Sequence, residues 1–217
     1  MEITWYGQTC FRLSERGLAS VVTDPYPPDT GLTLPRLRAQ IVTSSLDDLQ
    51  TRYVSGVKGP YKLLDGPGEY EIGGVFITGV PAFADDSKGE LRGQNTIFTF
   101  DYTGLIVCHL GYLGHVPTQS QVEDLGSVDI LLVPVGGSGS LTSTQASEVI
   151  SLFEPSVVIP MLYMIPESQL KLGTLGRFLK EMGTEKVDSL DVFKVAKSSL
   201  ADETQVVVLE PKSHDGG

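Results

Sequence analysis

Residues 1–60 alternate short strand patterns with turns, and that rhythm commits the chain to a β-rich beginning. Residues 2–6, 10–13 and 19–23 gather β-branched and aromatic side chains between Gly or Pro breaks, as short strands do. Asp24-Pro25-Tyr26-Pro27-Pro28-Asp29 then forces a loop. Further strand patterns fall at 40–43, 61–64, 69–72, 75–79 and 96–102. From Leu105 onward strands at 105–108, 130–133, 157–159 and 205–209 are separated by helical stretches.

The clearest helix is predicted over 142–153, where Ala146, Val149, Ile150 and Phe153 recur at helical spacing and Thr142 and Gln145 are spaced as a capping box. A second is predicted over 167–182, with Leu175, Phe178, Leu179 and Met182 on one face and Gly173 and Gly176 interrupting it. A shorter third spans 117–125. Strands first and alternation afterwards imply an α/β or α+β domain. No low-complexity linker divides the chain, so residues 1–210 read as one domain and 211–217 as a polar, frayed tail.

Sixteen basic against twenty-seven acidic residues give a formal charge of −11, which repels polyphosphate and anionic lipid, and no Lys/Arg cluster offsets it. Nucleic acid is therefore not an expected partner. No apolar run approaches the ~20 residues of a membrane span. The start, Met1-Glu2-Ile3-Thr4-Trp5, lacks a basic region followed by an apolar one, so the expectation is a cytoplasmic protein without a membrane partner. Cys10 and Cys108 sit in apolar contexts and read as buried reduced thiols. Tyr26, Leu32, Leu34 and Leu37 either form a homo-oligomer contact or cover the domain's own sheet.

Several stretches carry a more specific message by their order: Ile3-Thr4-Trp5-Tyr6-Gly7-Gln8-Thr9-Cys10-Phe11, Thr23-Asp24-Pro25-Tyr26, Gly66-Pro67-Gly68-Glu69-Tyr70, Cys108-His109-Leu110-Gly111, Leu132-Val133-Pro134-Val135-Gly136-Gly137 and Val158-Ile159-Pro160-Met161. Over roughly residues 3–163 the chain resembles small bacterial metal-dependent hydrolases of the metallo-β-lactamase superfamily, in the branch of ascorbate-6-phosphate lactonase-like proteins. The resemblance implies two sheets packed face to face with helices outside, an αβ/βα four-layer sandwich. It also implies relatives that bind zinc or manganese through a His-x-His-x-Asp-His motif and three further ligands.

In this chain the matching positions are Leu46, Asp48, Gln50 and Thr51, then Ala84 after the loop of Val80-Pro81, Tyr112 after His109-Leu110-Gly111, and Leu162 after Ile159-Pro160-Met161. None carries the residue that the resemblance calls for, and Leu46, Ala84 and Leu162 have no donor atom at all. Zinc needs imidazole, thiolate or carboxylate donors, and a catalytic ion then lowers the pKa of bound water to about 7. Without the ligands that hydroxide is not made, so no metal cofactor is expected.

Other chemistry has weaker support. His109 and His115 remain near the expected pocket, either as proton shuttles or as loop-holding hydrogen-bond groups. Asp47 and Asp48 with His109 suit Mg²⁺ or Mn²⁺ better than zinc, but adjacent side chains diverge, and one aspartate otherwise caps a helix near Leu49. Ser45 with His109 as its base is a possible nucleophile, although Gly136-Gly137-Ser138-Gly139-Ser140 lacks the last glycine of a nucleophile elbow. Gly136 and Gly137 form either a tight turn or an anion-receiving loop. Leu46, Ala84, Tyr112 and Leu162 either pack the former metal pocket shut or make an apolar site for a small molecule. Three functions follow: a non-catalytic scaffold or binding protein for an unidentified protein or small molecule, a hydrolase with altered-metal or metal-free chemistry, or a small-molecule sensor.

Overall fold

Runs of three to five apolar and β-branched residues cannot bury themselves alone, and here they assemble into two facing sheets. The structure, a computed structural model, describes residues 1–46, 53–166, 168–184 and 186–212. Strands β1 (Glu2–Trp5), β2 (Phe11–Ser14), β3 (Val21–Thr23), β4 (Ile41–Thr43) and β5 (Lys62–Leu64) come first. They are followed by β6 (Gly68–Ile72), β7 (Val75–Phe83), β8 (Gln94–Tyr102) and β9 (Leu105–His109). The last part contains α1 (Gln119–Leu125), β10 (Ile130–Pro134), α2 (Ser143–Phe153), β11 (Val157–Met161), α3 (Leu175–Glu181), β12 (Phe193–Lys194) and β13 (Gln205–Val206).

The first sheet has the order β12-β1-β2-β3-β4-β5 and the second β13-β11-β10-β9-β8-β7-β6. Each is antiparallel on one side and parallel on the other: β3, β4 and β5 run parallel, as do β9, β10, β11 and β13. Strands β10 and β11 are buried throughout, which is why they read as unbroken apolar runs. The sheets meet in one core, where the Tyr102 hydroxyl donates to Ala19 O at 3.0 Å and Phe11 meets the His109 ring edge-on. Cys10 and Cys108 lie in it as free, buried thiols.

Both capped helices start where their side chains can satisfy the first free N–H groups. Thr142 accepts from Gln145 N–H while the Gln145 side chain accepts from Thr142 N–H, and Thr118 and Gln121 repeat the arrangement for α1. Helix α2 buries Ala146, Val149, Ile150 and Phe153, the stripe that its spacing predicts.

The helix predicted over 167–182 is shorter, beginning only at Leu175. Gly173 donates its N–H to Gly136 O at 2.7 Å and its carbonyl accepts from Met164 N–H at 2.9 Å, so those groups are taken by neighbouring loops rather than a helix. The strand predicted over 75–79 continues to Phe83 through Pro81. Pro81 pairs with Thr96 on β8, but β6 has already ended opposite Gly79, and the missing N–H faces no partner strand. The pattern over 205–209 divides, with β13 joining β11 while Val208–Leu209 pairs with Ser189–Leu190. A short pair between Leu37–Arg38 and Val57–Lys58 carried no clear sequence pattern. Lys212 N–H donates to Trp5 O at 2.9 Å, so the first two tail residues are tied to the fold, while 213–217 lie outside the described residues. Tyr26, Leu32 and Leu37 are buried in the chain's own core, which takes them away from any exposed contact surface. No helix among the described residues is long and apolar enough to cross a membrane.

Candidate functional site

Parallel strands leave their C-terminal ends on one rim, and in α/β sheets that rim is where ligands bind. A cavity of about 350 Å³ lies at such ends here. Its wall includes Leu46 beyond β4, Tyr112 beyond β9, Gly137 beyond β10 and Leu162 beyond β11. Gln8 and Tyr26, from the loops after β1 and β3, complete that side. Leu46, Tyr112 and Leu162, from three distant stretches of sequence, are thus brought together.

Ala84 is fully buried and does not line the cavity; its N–H donates to Gly93 O, and a Cβ on Gly114 would strike its backbone at 2.5 Å. Gly136 is behind the wall, where a Cβ would lie 2.2 Å from Leu162 O, so only glycine permits this close approach. Asp47, Asp48, Gln50 and Thr51 are outside the described residues.

Asn95, missed by the sequence reasoning, organises two wall residues. Its amide nitrogen donates to Leu110 O at 3.0 Å, its Oδ1 accepts from Tyr112 N–H at 2.8 Å, and Leu46 bridges to it as an isolated β-pair. Asn95 stands just before the strand pattern at 96–102, which itself carries Thr96, Thr99 and Asp101, so nothing in the sequence singles it out.

Beneath the wall lies a buried polar cluster. His109 is fully buried, with Nε2 2.9 Å from Thr9 O and Nδ1 3.4 Å from Ser45 Oγ. A carbonyl only accepts, so Nε2 carries the proton and Nδ1 is left to accept from Ser45. Thr9 O also accepts from Thr23 Oγ1, which in turn accepts from Phe11 N–H. Asp24 Oδ1 accepts from Ser45 N–H at 2.6 Å, while Oδ2 is 3.9 Å from His109 Nε2 and has no hydrogen bond among the described residues. Burial pushes the Asp24 carboxyl up, against the opposing pull of His109 and the Ser45 N–H. Burial likewise holds His109 below the ordinary histidine range, with Asp24 and Thr9 O opposing it.

Ser45, His109 and Asp24 superficially form a nucleophile, base and acid series. Three facts argue against that use: Ser45 is 1% exposed, it does not line the cavity, and the Nε2 proton is given to Thr9 O. A nucleophile out of reach of substrate cannot attack it. His115 lies apart, accepting from Phe83 N–H at 3.2 Å and facing Val116 O through Nδ1 at 2.9 Å, so both its nitrogens hold loops. Asp24 was legible only as the carboxylate closing the apolar run before Pro25.

The cavity's outer wall is different. Arg92 and Lys171 contribute cations, Asp29 one carboxylate, and Leu170 and Leu172 apolar surface. Arg92 sits in a loop fixed by Asp85, whose carboxylate accepts four backbone N–H groups, from Ser87, Gly89, Leu91 and Arg92. Burial raises the Asp85 pKa and these four donors more than reverse it, leaving the carboxyl below its ordinary value. Cations in surface loops carry no pattern that marks them beforehand, and neither was singled out.

The described residues offer no resident metal a fitting shell. They contain no group of three or more His, Cys, Asp or Glu side chains able to hold one. Leu46 and Leu162 have no lone pair, both His109 nitrogens are engaged, and burial pushes the Tyr112 phenol up, so it stays protonated.

The model of the β-lactamase superfamily domain matches residues 2–162. A UPF0173 protein of Pyrococcus abyssi is 27% identical over 181 residues, covering 75% of this chain and 83% of that protein. A UPF0173 metal-dependent hydrolase of Methanoculleus marisnigri is 24% identical over 183 residues, covering 75% and 81%. Among solved structures, a Thermotoga maritima protein assigned as a Zn-dependent hydrolase of the metallo-β-lactamase superfamily matches with a TM-score of 0.79 and 35% identity, over 96% of this chain and 97% of that one.

Proposed function

The chain belongs to the β-lactamase superfamily domain family, with the α/β metallo-β-lactamase fold, and we propose that within it the protein is a pseudoenzyme that binds a small molecule. One observation carries this reading: hydrocarbon and phenol side chains, Leu46, Leu162 and Tyr112, line the cavity at the strand ends where the resemblance places metal ligands. Two-metal hydrolysis needs donors to generate hydroxide, and these side chains supply none. They leave a cavity of about 350 Å³ rather than a filled core, within the roughly 300–1,000 Å³ typical of small-ligand sites.

The test is metal content by elemental mass spectrometry on protein purified without chelator and after incubation with zinc, manganese and iron, followed by assays on lactone and phosphoester substrates. The reading expects far less than one equivalent and no turnover.

A second reading, a metal-dependent hydrolase, is favoured by the names of the Methanoculleus and Thermotoga proteins. It requires Asp47 and Asp48 to supply carboxylates and His109 to give up a bond to Thr9 or Ser45. A stoichiometric ion with turnover, lost in Asp48→Ala, would establish that reading and remove the first.

A further inference from the structure

We propose that the cavity selects a small organic anion, with its head group taken by Arg92 and Lys171 and an acceptor oxygen on its body taken by Gln8. This inference rests on the binding-protein reading above and names the ligand class.

The first observation is an unpartnered donor. Gln8 is 5% exposed, lines the cavity, and its Nε2 has no hydrogen-bond partner among the described residues. A buried amide left unpaired has lost its water without replacement, so an acceptor that meets it recovers that cost on binding. The backbone that presents this side chain is held in place: Gln8 has φ +49°, and its main-chain carbonyl accepts from Trp5 Nε1 at 2.9 Å and Leu162 N–H at 3.2 Å. An L residue adopts that left-handed conformation only when surrounding contacts impose it.

The second observation is local charge. The chain carries a formal −11, yet among the described residues this wall bears two cations, Arg92 and Lys171, against the carboxylate of Asp29. Lys171 has no ion-pair partner among the described residues. Arg92 Nη1 donates to Ser138 O at 3.0 Å, which orients the guanidinium and uses one of its five N–H groups. A fixed guanidinium suits the paired oxygens of a carboxylate or phosphate.

The third is the apolar part of the wall. Leu46, Leu162 and Leu172 give the ligand's body a surface that neither inorganic phosphate nor a bare metal ion exploits. Tyr112 adds a phenol that remains protonated, a further donor. Apolar body, anionic head and acceptor oxygen together describe an aryloxy or alkoxy carboxylate or a phosphate ester.

Isothermal titration of the full chain with four probes tests this: phenoxyacetate, phenyl phosphate, 2-phenoxyethanol and inorganic phosphate, the first three carrying an ether or ester oxygen that can accept from Gln8. At least one organic anion is expected to bind tenfold or more tighter than both the alcohol and inorganic phosphate, and the two anions tell a carboxylate head from a phosphate. Arg92→Ala and Lys171→Ala, at exposed positions, are each expected to weaken that anion about fivefold to tenfold with unchanged melting temperature. Gln8→Glu, which replaces the donor with a like charge, is expected to abolish binding. Equal affinity for anion and alcohol, unchanged affinity in both cation variants, or no binding by any probe would overturn the anion assignment. Tight binding of the alcohol alone would do so while leaving a small-molecule pocket in place, whereas stoichiometric metal with turnover would remove the underlying reading.

Discussion

The cavity wall and the polar cluster beneath it stand a few side chains apart and follow opposite rules. Below, His109, Ser45, Thr9 and Thr23 form a chain of hydrogen bonds that spans both sheets. Above, Leu46, Leu162 and Leu172 meet open space beside Arg92 and Lys171. The cluster is buried and its geometry is fixed by the fold, so its polar groups act as structure. The wall faces open space, so its composition sets what the cavity can receive. Histidine and serine are frequent catalytic residue types, yet here His109 and Ser45 are buried away from the cavity, and leucine side chains occupy much of its wall.

The largest effects are expected where that division depends on glycine. Gly111 (φ +61°) would bring a Cβ to 2.4 Å from Ser45 Cβ, and Gly136 would bring one to 2.2 Å from Leu162 O. Gly111→Ala and Gly136→Ala are each expected to lower stability by about 4 kcal/mol or to prevent folding, read by urea unfolding. A melting curve like the wild type's would mean that cluster and wall are not pressed together as described. Next comes His109→Ala, expected to cost about 3 kcal/mol, because it empties a buried volume, strands the Ser45 hydroxyl and leaves Thr9 O with the Thr23 hydroxyl alone. Leu162→Ala, on the wall, is expected to cost less, since part of its surroundings is already space.

Titration sharpens the comparison further. His109 is held below its ordinary pKa of about 6.5, so the unfolded chain takes up its proton first, and stability is lost as pH falls below that value, by up to about 1.4 kcal/mol per unit. Asp24 is displaced upward, so its sign is opposite: the folded chain holds that proton longer, and stability falls as pH rises from about 4 towards the raised pKa. Asp24→Asn keeps an acceptor for Ser45 N–H and removes the ionisation. It is expected to gain more over wild type at pH 7 than at pH 4, and to expose the His109 loss as a steeper acid limb in urea unfolding from pH 4 to 8. An unchanged pH profile would show that neither group is as buried in the ionic sense as the cluster requires.

The architecture was legible because its determinants are periodic and local. The strand patterns of β1 to β4 and β8 to β11 and the Thr142 to Gln145 cap each depend on residues close in sequence. The limits appeared where a distant partner decides. Gly173 leaves the helix because Gly136 O awaits its N–H, and β7 runs through Pro81 because its neighbour has ended. At the site, three of the substituted ligand positions were placed by motif spacing, but Asn95, Arg92 and Lys171 belong to no motif, and Gln8 lies in the 3–11 stretch with nothing there to mark it as a pocket residue. Their roles come from what lies across the cavity, and a single sequence does not state which loop faces which. Ala84 illustrates the converse: it holds a motif position but is packed against Gly114, away from the open space.

The smallest expected change in stability is also the most discriminating for the wall. Arg92→Ala removes a side chain that is exposed and makes one hydrogen bond, to Ser138 O. The loop itself is held by its backbone, since Asp85 accepts the Arg92 N–H at 2.7 Å along with three neighbours. Stability is therefore expected to change by no more than about 0.5 kcal/mol, the usual range for a surface substitution. Removing the loop's anchor instead, by Asp85→Ala, is expected to lower the melting temperature clearly, because four backbone N–H groups lose the one carboxylate that gathers them. If Arg92→Ala proved as damaging as Asp85→Ala, the guanidinium would be part of the scaffold like His109, and the separation of a structural cluster from a receptive wall would fail on its outer side.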